Sequence, residues 1–423
     1  MRLSPTSCDC LESSNSESSH PFRARVRGLG DLTARPVAQI RDVNKMLNPQ
    51  NPTPTLSPRI RVLIVDDSVV MRKILSDALR DDAEIEVVGT ASNGIIALQR
   101  CLQLSPDVVT LDIEMPEMDG IATLREIKRQ FPRIRVLMCS TLTERGAGIT
   151  LEALSAGADD YLAKNASEAR ALEAFQSQLV PKIKQFFRDS RSLGPKRASG
   201  SGSHTVQRAA YPQDFATKGA VRTDNLTSTV RPQSFSPKAI AIGVSTGGPN
   251  ALTEVIPALP KDFPLPVFVV QHMPPMFTRL LAERLQSQSK VKVVEAQDGM
   301  VASPGCVYIA PGDFHMCVVR RGGNVVLQTN QDPMENSCRP AVDVLFRSVG
   351  QVYGGATISV ILTGMGQDGL HGVERLRGLG GYVIAQDEPS SVVWGMPGFV
   401  VRAGYADTVC DLKSIAPEII RHL

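Results

Sequence analysis

Short apolar runs recur along most of this chain, and segments long enough for a helix separate them. Runs of strand length that alternate with helix-length segments predict a parallel sheet with helices packed on both faces. The sequence therefore predicts two α/β domains, the second of them doubly wound and mainly parallel. The predicted strands cover residues 60–65, 85–88, 107–111, 134–139 and 159–163 in the first domain, and 239–244, 266–271, 306–310 and 357–362 in the second.

Two stretches without this pattern mark the domain boundaries. Residues 1–57 are rich in Ser, Pro, Asn and Thr and predict a disordered tail, although a start codon at Met46 is an alternative interpretation. Residues 186–236 are rich in Ser, Gly, Arg and Gln, a composition typical of a flexible linker. These stretches leave a first domain at 58–185 and a second domain at 237–423.

Composition argues against several classes of protein. The 423 residues carry 46 basic and 43 acidic side chains, so the net charge of +3 predicts neither nucleic acid nor a membrane surface as a partner. No apolar run approaches the roughly 20 residues that span a bilayer, and the N-terminus has no hydrophobic signal segment. We therefore expect a cytoplasmic protein without membrane insertion. Its eight cysteines include no Cys-x-x-Cys pair, and we interpret them as reduced thiols.

Acidic side chains follow two of the predicted strands in the first domain. Asp66 and Asp67 come directly after the first strand, and Asp112 follows the third. Ligands of parallel sheets bind at the carboxyl ends of the strands, so these three carboxylates are expected to converge there. Crowded carboxylates ionise more readily beside a hard cation, and Mg²⁺ prefers oxygen ligands. Ser140 and Lys164 follow the fourth and fifth strands, where both are able to contact a phosphoryl group on Asp112.

The second domain opens with a serine between glycines. Its first apolar run ends at Ser245 within Gly243-Val244-Ser245-Thr246-Gly247, and a helix-like segment follows. A Gly-x-Ser-x-Gly turn between a strand and a helix presents its hydroxyl as a nucleophile, and the free N–H groups of the helix stabilise a negative oxygen. A tight turn without catalytic function is the alternative. Acyl transfer or hydrolysis is the leading hypothesis for this site.

A catalytic serine needs a base, and three of the six histidines lie outside the tail, the linker and the C-terminus. These candidates are His272, His315 and His371. His272 is favoured because it directly follows a predicted strand, and neighbouring parallel strands end side by side. Asp368 lies on a glycine-rich loop just past another predicted strand and is the candidate to orient the imidazole. Taken singly, His272 is also explained as a strand-end histidine and Asp368 as a turn cap.

The carboxylates of the first domain belong to a pattern that resembles response-regulator receiver domains. The pattern comprises Asp66-Asp67, Asp112-Ile113-Glu114-Met115-Pro116-Glu117-Met118-Asp119-Gly120, Ser140-Thr141 and Lys164. The resemblance implies a flavodoxin-like (βα)5 fold in which Asp112 is the phosphorylated residue. It also implies a Mg²⁺ site formed by Asp66, Asp67, Asp112 and the backbone carbonyl of Glu114. Single aspartates often only cap helices, but the combination at four strand ends argues against that interpretation.

The same resemblance assigns the residues that respond to phosphorylation. Ser140 and Tyr161 match the positions that report phosphorylation to the surface, and Lys164 completes the predicted switch. One departure is Asn165, where receiver domains usually have a proline. We therefore expect the loop after Lys164 to switch differently from that of other receivers.

The motifs of the second domain resemble those of the chemotaxis protein-glutamate methylesterases, the CheB family. They are Gly243-Val244-Ser245-Thr246-Gly247-Gly248, Gln271-His272-Met273-Pro274, Ile309-Ala310-Pro311-Gly312-Asp313-Phe314-His315, Arg339-Pro340-Ala341-Val342-Asp343 and Thr363-Gly364-Met365-Gly366-Gln367-Asp368-Gly369. The resemblance includes the order of the two domains and covers nearly everything from residue 59 to the C-terminus. It implies that Ser245 is the nucleophile, His272 the general base and Asp368 its partner, while the backbone N–H of Met365 serves the oxyanion.

Two positions of this pattern have no assigned role. Cys338 stands where a histidine is common before the Arg-Pro pair, so the chemistry of that region is open. His315 matches a family position, but its chemical role does not follow from the sequence.

Membership of this family would imply an enzyme that hydrolyses glutamate methyl esters on the cytoplasmic helices of chemoreceptors and releases methanol. It would also deamidate specific receptor glutamines, because an acyl-enzyme at Ser245 serves both reactions. We expect no cofactor for the esterase and a chemotaxis histidine kinase as the phosphodonor. The receiver domain is expected to cover the esterase cleft until Asp112 is phosphorylated.

Two hypotheses from other classes are open at this point. A non-enzymatic response regulator would use the second domain to bind DNA or a partner, but a short basic helix-turn-helix module is absent from the sequence. A nucleotide-binding turn would need glycine where Ser245 stands, and Asp262 precedes the next strand instead of ending it. Labelling by a serine-reactive fluorophosphonate that is lost in Ser245→Ala would separate both from an esterase.

Overall fold

The structure, a computed structural model, describes residues 59–141, 143–164, 168–191 and 235–423. The predicted tail, most of the predicted linker and Asn165 lie outside these ranges. Within them, no helix combines the length and the apolar character that a bilayer span requires.

The first domain is built on one parallel sheet. Its strands are β1 (Ile60–Val65), β2 (Ile85–Ala91), β3 (Val108–Asp112), β4 (Arg135–Thr141) and β5 (Asp160–Lys164). Its helices are α1 (Val69–Arg80), α2 (Gly94–Leu104), α3 (Gly120–Gln130), α4 (Glu144–Ser155) and α5 (Glu168–Arg191). The strand order is β2-β1-β3-β4-β5 and every pair is parallel, which confirms the predicted (βα)5 fold.

Polar residues start four of these helices shortly after the strands end. In each case the side chain accepts a hydrogen bond from the backbone N–H three residues further on, which satisfies a donor that the first helical turn leaves free. The four caps are Ser68, Asn93, Asp119 and Thr143. Because the caps set the path of the loops, the acidic residues after β1 and β3 remain at the carboxyl edge of the sheet.

The second domain contains a seven-stranded parallel sheet and one antiparallel hairpin. Its strands are β6 (Ala239–Val244), β7 (Val267–Gln271), β8 (Lys292–Glu295), β9 (Cys306–Ile309), β10 (His315–Arg321), β11 (Asn324–Asn330), β12 (Thr357–Ile361), β13 (Tyr382–Gln386) and β14 (Thr408–Cys410). Its helices are α6 (Gly248–Val255), α7 (Phe277–Gln288), α8 (Val342–Tyr353), α9 (Leu370–Gly378), α10 (Met396–Arg402) and α11 (Ile415–Arg421). The sheet order is β14-β13-β12-β6-β7-β9-β8, and β10 pairs with β11. The doubly wound prediction is confirmed.

The sequence analysis did not predict five of these strands, because their apolar runs are short or interrupted. The strands β8 and β14 have only four and three residues. The hairpin strands β10 and β11 each mix buried, partly exposed and exposed residues. In β13 only the three central residues of Tyr382–Gln386 form an apolar run. Short or broken apolar runs of this kind are weak signals of strand structure.

The strand order reverses at β6, which has β7 on one side and β12 on the other. The register pairs Val244 at the end of β6 with Gln271 at the end of β7. The next residues along the two strands are Ser245 and His272, so these two lie at neighbouring strand ends. Such a reversal point is the usual ligand site of open α/β sheets.

Candidate functional site

Ser245 lies on a tight turn between β6 and α6. Its backbone N–H donates to the Thr363 carbonyl at 3.0 Å, and its carbonyl accepts from the Gly248 N–H at 2.8 Å. Gly247 has a φ of +77°, and a Cβ atom at this position would lie 2.6 Å from Val392. Because both the angle and the space exclude a side chain, the turn requires glycine there. The predicted strand–turn–helix placement of the serine is thus observed.

The backbone of His272 is tied to the serine turn. Its N–H donates to the Val244 carbonyl at 3.2 Å. The buried Gln271 amide donates from Nε2 to the carbonyls of Ser245 at 2.9 Å and His272 at 3.3 Å. The Ser245 hydroxyl is half-buried and forms no hydrogen bond within the described residues. The serine and the histidine are therefore neighbours whose side chains are not bonded to each other in this structure.

The Asp368 carboxylate binds the imidazole at its far nitrogen. Oδ2 lies 2.8 Å from His272 Nε2, and the Asp368 side chain is only 2% exposed. The first N–H groups of α8 also point at it, with Val342 donating at 2.6 Å and Asp343 at 3.0 Å. A helix N-terminus favours negative charge. Burial raises the pKa of Asp368, but the hydrogen bonds from His272 and this helix end outweigh it and hold the pKa below its ordinary value.

Asn336 is a further part of this site that the sequence analysis did not identify. Its amide donates from Nδ2 to Asp368 at 2.8 Å and to Asp343 at 2.9 Å, so one side chain joins two carboxylates. Burial raises the pKa of Asp343, and the nearby Asp368 raises it as well. The polar character of Asn336 gives no sign of this role, because it lies 32 residues from Asp368 along the chain.

The Asp368 contact determines which nitrogen of His272 is free. A carboxylate only accepts hydrogen bonds, so Nε2 carries a proton and Nδ1 is the basic nitrogen of the neutral ring. Nδ1 faces the Cys338 thiol, with Sγ at 3.7 Å. Burial lowers the pKa of His272, but the hydrogen bonds with Asp368 and Cys338 outweigh it and raise the pKa to about 10.

The loop that carries Met365 packs directly on the serine. A Cβ atom at Gly364 would lie 2.8 Å from Ser245 Cβ and 2.4 Å from the Met396 sulfur, so only glycine permits this approach. Met365 is the next residue and is half-buried. Its backbone N–H therefore belongs to a segment that packs directly against Ser245.

The other candidate residues lie in different environments. His315 is buried; Nδ1 accepts from the Ala341 N–H at 3.2 Å and Nε2 donates to the Pro333 carbonyl at 3.1 Å, so this ring holds the loop before α8. His371 is 67% exposed on α9. Asp262 is exposed in the turn before β7, so it does not offer the strand-end carboxylate of a nucleotide site.

In the first domain, three carboxylates meet at the carboxyl edge of the sheet. Ligand atoms of Asp66, Asp67 and Asp112 all lie within 4.8 Å of one another. Lys164 Nζ lies 2.8 Å from Asp66 Oδ2 and 2.7 Å from Asp112 Oδ1. A cavity of about 280 Å³ opens here, lined by Asp67, Asp112, Ile113, Glu114, Ser140, Gly146 and Lys164. The predicted convergence is observed, and its oxygen donors are consistent with a Mg²⁺ site.

The charged side chains in this pocket shift each other's pKa values. Burial raises the pKa of Asp112, Lys164 lowers it, and the net direction is upward. Burial lowers the pKa of Lys164, but the charges of Asp112 and Asp66 outweigh it, so the net shift is upward. The pocket brings three carboxyl groups together with one ammonium group, and this excess of acidic oxygens favours binding of a cation.

One predicted switch residue lines this pocket, and another reaches the second domain. Ser140 is 2% exposed, and its hydroxyl donates to the Gly146 carbonyl at 3.2 Å. The Tyr161 ring stacks on Phe277 at the start of α7, with centroids 5.0 Å apart and an angle of 9° between the planes. Burial raises the pKa of Tyr161, so its phenol is neutral. Tyr161 thus contacts the second domain directly.

Polar contacts extend this interface to the residue after Ser245. The Thr246 hydroxyl donates to Asp160 Oδ2 at 3.1 Å, and both side chains are buried. Asn250 on α6 donates from Nδ2 to the Leu154 carbonyl at 2.7 Å. Arg284 on α7 donates to the Leu151 carbonyl at 3.0 Å. The first domain therefore packs beside the turn that carries the serine.

Each of the two domains matches a family of known proteins. The model of the response regulator receiver domain matches residues 62–176, and that of the CheB methylesterase matches residues 240–419. The protein-glutamate methylesterase/protein-glutamine glutaminase of Trichodesmium erythraeum is 47% identical over 86% of this chain and 99% of its own length. The protein of the same name from a Nocardioides species is also 47% identical, over 86% of this chain and 96% of its own length.

A solved structure also matches the second domain. The crystal structure of the Thermotoga maritima CheB methylesterase catalytic domain is 47% identical, covers 44% of this chain and 100% of that domain, and has a TM-score of 0.44. The two curated relatives by themselves match most of this chain at nearly their full length. The chain therefore belongs to the CheB family of protein-glutamate methylesterases, with an N-terminal receiver domain and a C-terminal methylesterase domain.

Proposed function

We propose that this protein hydrolyses glutamate methyl esters on chemoreceptors and deamidates specific receptor glutamines, and that phosphorylation of Asp112 activates it in the cytoplasm. The family membership supports the reaction, and the relatives carry both activities in their names. The observation that carries the site assignment is the buried Asp368, which holds His272 at the strand end beside Ser245. Chemoreceptors are the proposed substrates, and a chemotaxis histidine kinase is the proposed phosphodonor.

The proposed reaction begins with attack by Ser245 Oγ on the ester carbonyl carbon. His272 accepts the hydroxyl proton at Nδ1, because Nε2 is held by Asp368. The imidazole therefore turns from Cys338 toward the serine, a movement that fits the loose geometry of many sites without substrate. The tetrahedral oxyanion accepts a hydrogen bond from the Met365 N–H, and the start of α6 adds its positive dipole end.

Collapse of this intermediate releases methanol, which takes the proton from His272 and leaves an acyl-enzyme on Ser245. Water then attacks the acyl carbon while His272 accepts its proton, and the glutamate carboxylate leaves as Ser245 recovers its hydrogen. A glutamine differs only in expelling ammonia in place of methanol. One site therefore serves both reactions.

The pH dependence follows from the raised pKa of His272. The ring is a base only when neutral, so kcat/KM should continue to rise from pH 7 toward about pH 10 rather than level off above pH 7. The same shift adds stability that is complete below the unfolded pKa of about 6.5 and is lost as pH rises through about 10. Methanol release measured at saturating phosphodonor across this range checks the profile. A plateau already reached at neutral pH would contradict it.

The receiver pocket fits the proposed phosphorylation chemistry. Asp66, Asp67, Asp112 and the Glu114 carbonyl would hold Mg²⁺, which supplies positive charge against the incoming phosphoryl group. Asp112 is the proposed acceptor, and Lys164, which now binds Asp112 and Asp66, would contact a phosphoryl oxygen. Ser140 is the hydroxyl that would follow this change, and Tyr161, which stacks on Phe277, is the residue that would report it to the second domain. Opening of the domain interface would then expose Ser245.

Weakening the interface should raise activity without phosphorylation. Asn250→Ala removes the bond to the Leu154 carbonyl, worth about 1 kcal/mol, so basal methanol release should rise by up to about fivefold. The matched control is Asn324→Ala. Asn324 is exposed at the β10–β11 turn and lies far from Asn250 along the sequence. Equal basal rates for wild type and Asn250→Ala would count against an autoinhibitory interface.

The proposed function is tested with receptor membranes that carry labelled methyl esters. Full-length protein should release labelled methanol, and a small phosphodonor with Mg²⁺ should increase the rate. Absence of release in both conditions would refute the activity. Release that a phosphodonor leaves unchanged would refute only the activation.

A further inference from the structure

Cys338 contacts the proposed catalytic histidine, although no step of the esterase reaction uses its thiol. Sγ lies 3.7 Å from His272 Nδ1. Cys338 is half-buried and ends a turn closed by two hydrogen bonds with Glu335, of 2.9 and 3.1 Å. Asn336 and Ser337, the two residues inside this turn, are exposed. Cys338 is therefore partly accessible to solvent and lies beside an exposed turn.

The arrangement of the three side chains resembles that of an activated thiol. Asp368 accepts a proton from Nε2 at 2.8 Å, so the lone pair of the neutral ring lies on Nδ1, the nitrogen that faces the sulfur. A thiol reacts as its thiolate, and an adjacent imidazole is a common means of forming one. Thiol, imidazole and carboxylate thus form a continuous chain for proton transfer.

The other cysteines of the described ranges lack this environment. Cys101, Cys139 and Cys306 are buried. Cys317 and Cys410 are half-buried, and burial raises the pKa of both, that of Cys410 to about 11. No hydrogen bond joins any of these five thiols to a histidine in the described part of the chain. Cys317 and Cys410 are therefore internal references of similar exposure.

We propose that Cys338 is a reactive thiol whose oxidation by hydroperoxides blocks His272 and switches off the hydrolase. The thiol proton moves to Nδ1, and the thiolate attacks the terminal oxygen of the peroxide. An S–O bond forms as the O–O bond breaks, so sulfur is oxidised by two electrons and the peroxide is reduced. The leaving oxygen takes the proton from His272 and departs as water or an alcohol, which leaves a sulfenic acid.

The loss of activity rests on the proposed function, whereas the reactivity of the thiol does not. The sulfenic O–H would lie between sulfur and Nδ1, where it donates a hydrogen bond to the neutral ring and occupies the Nδ1 lone pair. Nδ1 is the nitrogen that Ser245 needs. A thiol reductant should reverse the block, because sulfenic acids are reducible.

The first test measures alkylation of the full-length protein by iodoacetamide at pH 7, with each cysteine followed by peptide mass spectrometry. Burial can only slow alkylation, so a thiol that reacts faster in the folded than in the unfolded protein must be activated. A free thiol is only a few per cent thiolate at this pH, so more complete ionisation raises its alkylation rate. The thiolate of a more acidic thiol is a weaker nucleophile, and the two effects together leave a gain of about tenfold. We expect Cys338 to be alkylated about tenfold faster in the folded protein than in urea. Cys317 and Cys410 should be alkylated more slowly in the folded protein than in urea.

Two results would overturn the reactive thiol. One is a folded rate for Cys338 below its rate in urea. The other is an unchanged folded rate in His272→Gln, since this variant removes the base. The comparison in urea uses wild-type protein alone, so it decides the question even if His272→Gln does not fold.

The second test treats the protein with hydrogen peroxide and traps sulfenic acid with dimedone. Methanol release by wild type should fall about tenfold and recover with dithiothreitol, while Cys338→Ser should stay within about twofold of its own untreated rate. A dimedone adduct on Cys338 without loss of activity would refute the block on His272. Absence of hydrolysis before treatment would instead refute the proposed function and leave the alkylation result standing.

Discussion

Ser245→Ala is expected to lower methanol release from methylated receptors by at least about a thousandfold, because no other group replaces the attacking oxygen. Binding and the oxyanion N–H groups remain, so a small residual rate above that of water is expected. The Ser245 hydroxyl is half-buried and has no hydrogen-bond partner among the described residues. Its removal should therefore change the free energy of unfolding by no more than about 0.5 kcal/mol.

The control for this variant is Ser236→Ala, since Ser236 is an exposed serine just before β6. Its methanol release should equal that of wild type. Thermal unfolding of both variants shows whether the loss belongs to the chemistry or to the fold. Substantial hydrolysis by Ser245→Ala would exclude Ser245 as the nucleophile.

Asp112→Asn is expected to abolish labelling by a small radioactive phosphodonor and all activation of the esterase. An amide cannot form the acyl phosphate, and the exchange also removes one of the charges that bind Lys164. Basal methanol release should remain, because Asp112 lies in the receiver pocket and not beside Ser245. The ratio of rates with and without phosphodonor should fall to about one.

The matched control is Asp119→Asn in the loop that follows Asp112. Asp119 is exposed and caps α3 through its carboxylate, and asparagine caps a helix equally well. This variant should accept phosphate and be activated like wild type. Persistent labelling of Asp112→Asn would contradict the assignment of the acceptor.

Much of this architecture was predictable because strand ends determine where side chains converge. Ser245 and His272 each follow an apolar run, and adjacent parallel strands bring such positions together. Asp66 and Asp112 converge for the same reason. Local pattern and topology were therefore sufficient to select these four residues, whereas Tyr161 and the Met365 N–H came from the resemblance to known families.

The finer geometry depends on contacts that no local pattern predicts. The start of α8 points its N–H groups at Asp368, and the contact with Val342 joins residues 26 positions apart. Asn336 reaches the same carboxylate from a turn whose sequence resembles any polar loop. Packing alone determines that Nε2 of His272 faces Asp368 and that Nδ1 therefore contacts Cys338.

Fluorophosphonate labelling, mapped by peptide mass spectrometry, tests most directly whether His272 activates Ser245. The full-length protein with a phosphodonor should carry a single adduct on Ser245, and His272→Gln should form it at least about a hundredfold more slowly. An adduct on another residue, or an equal rate on Ser245 in His272→Gln, would contradict this activation.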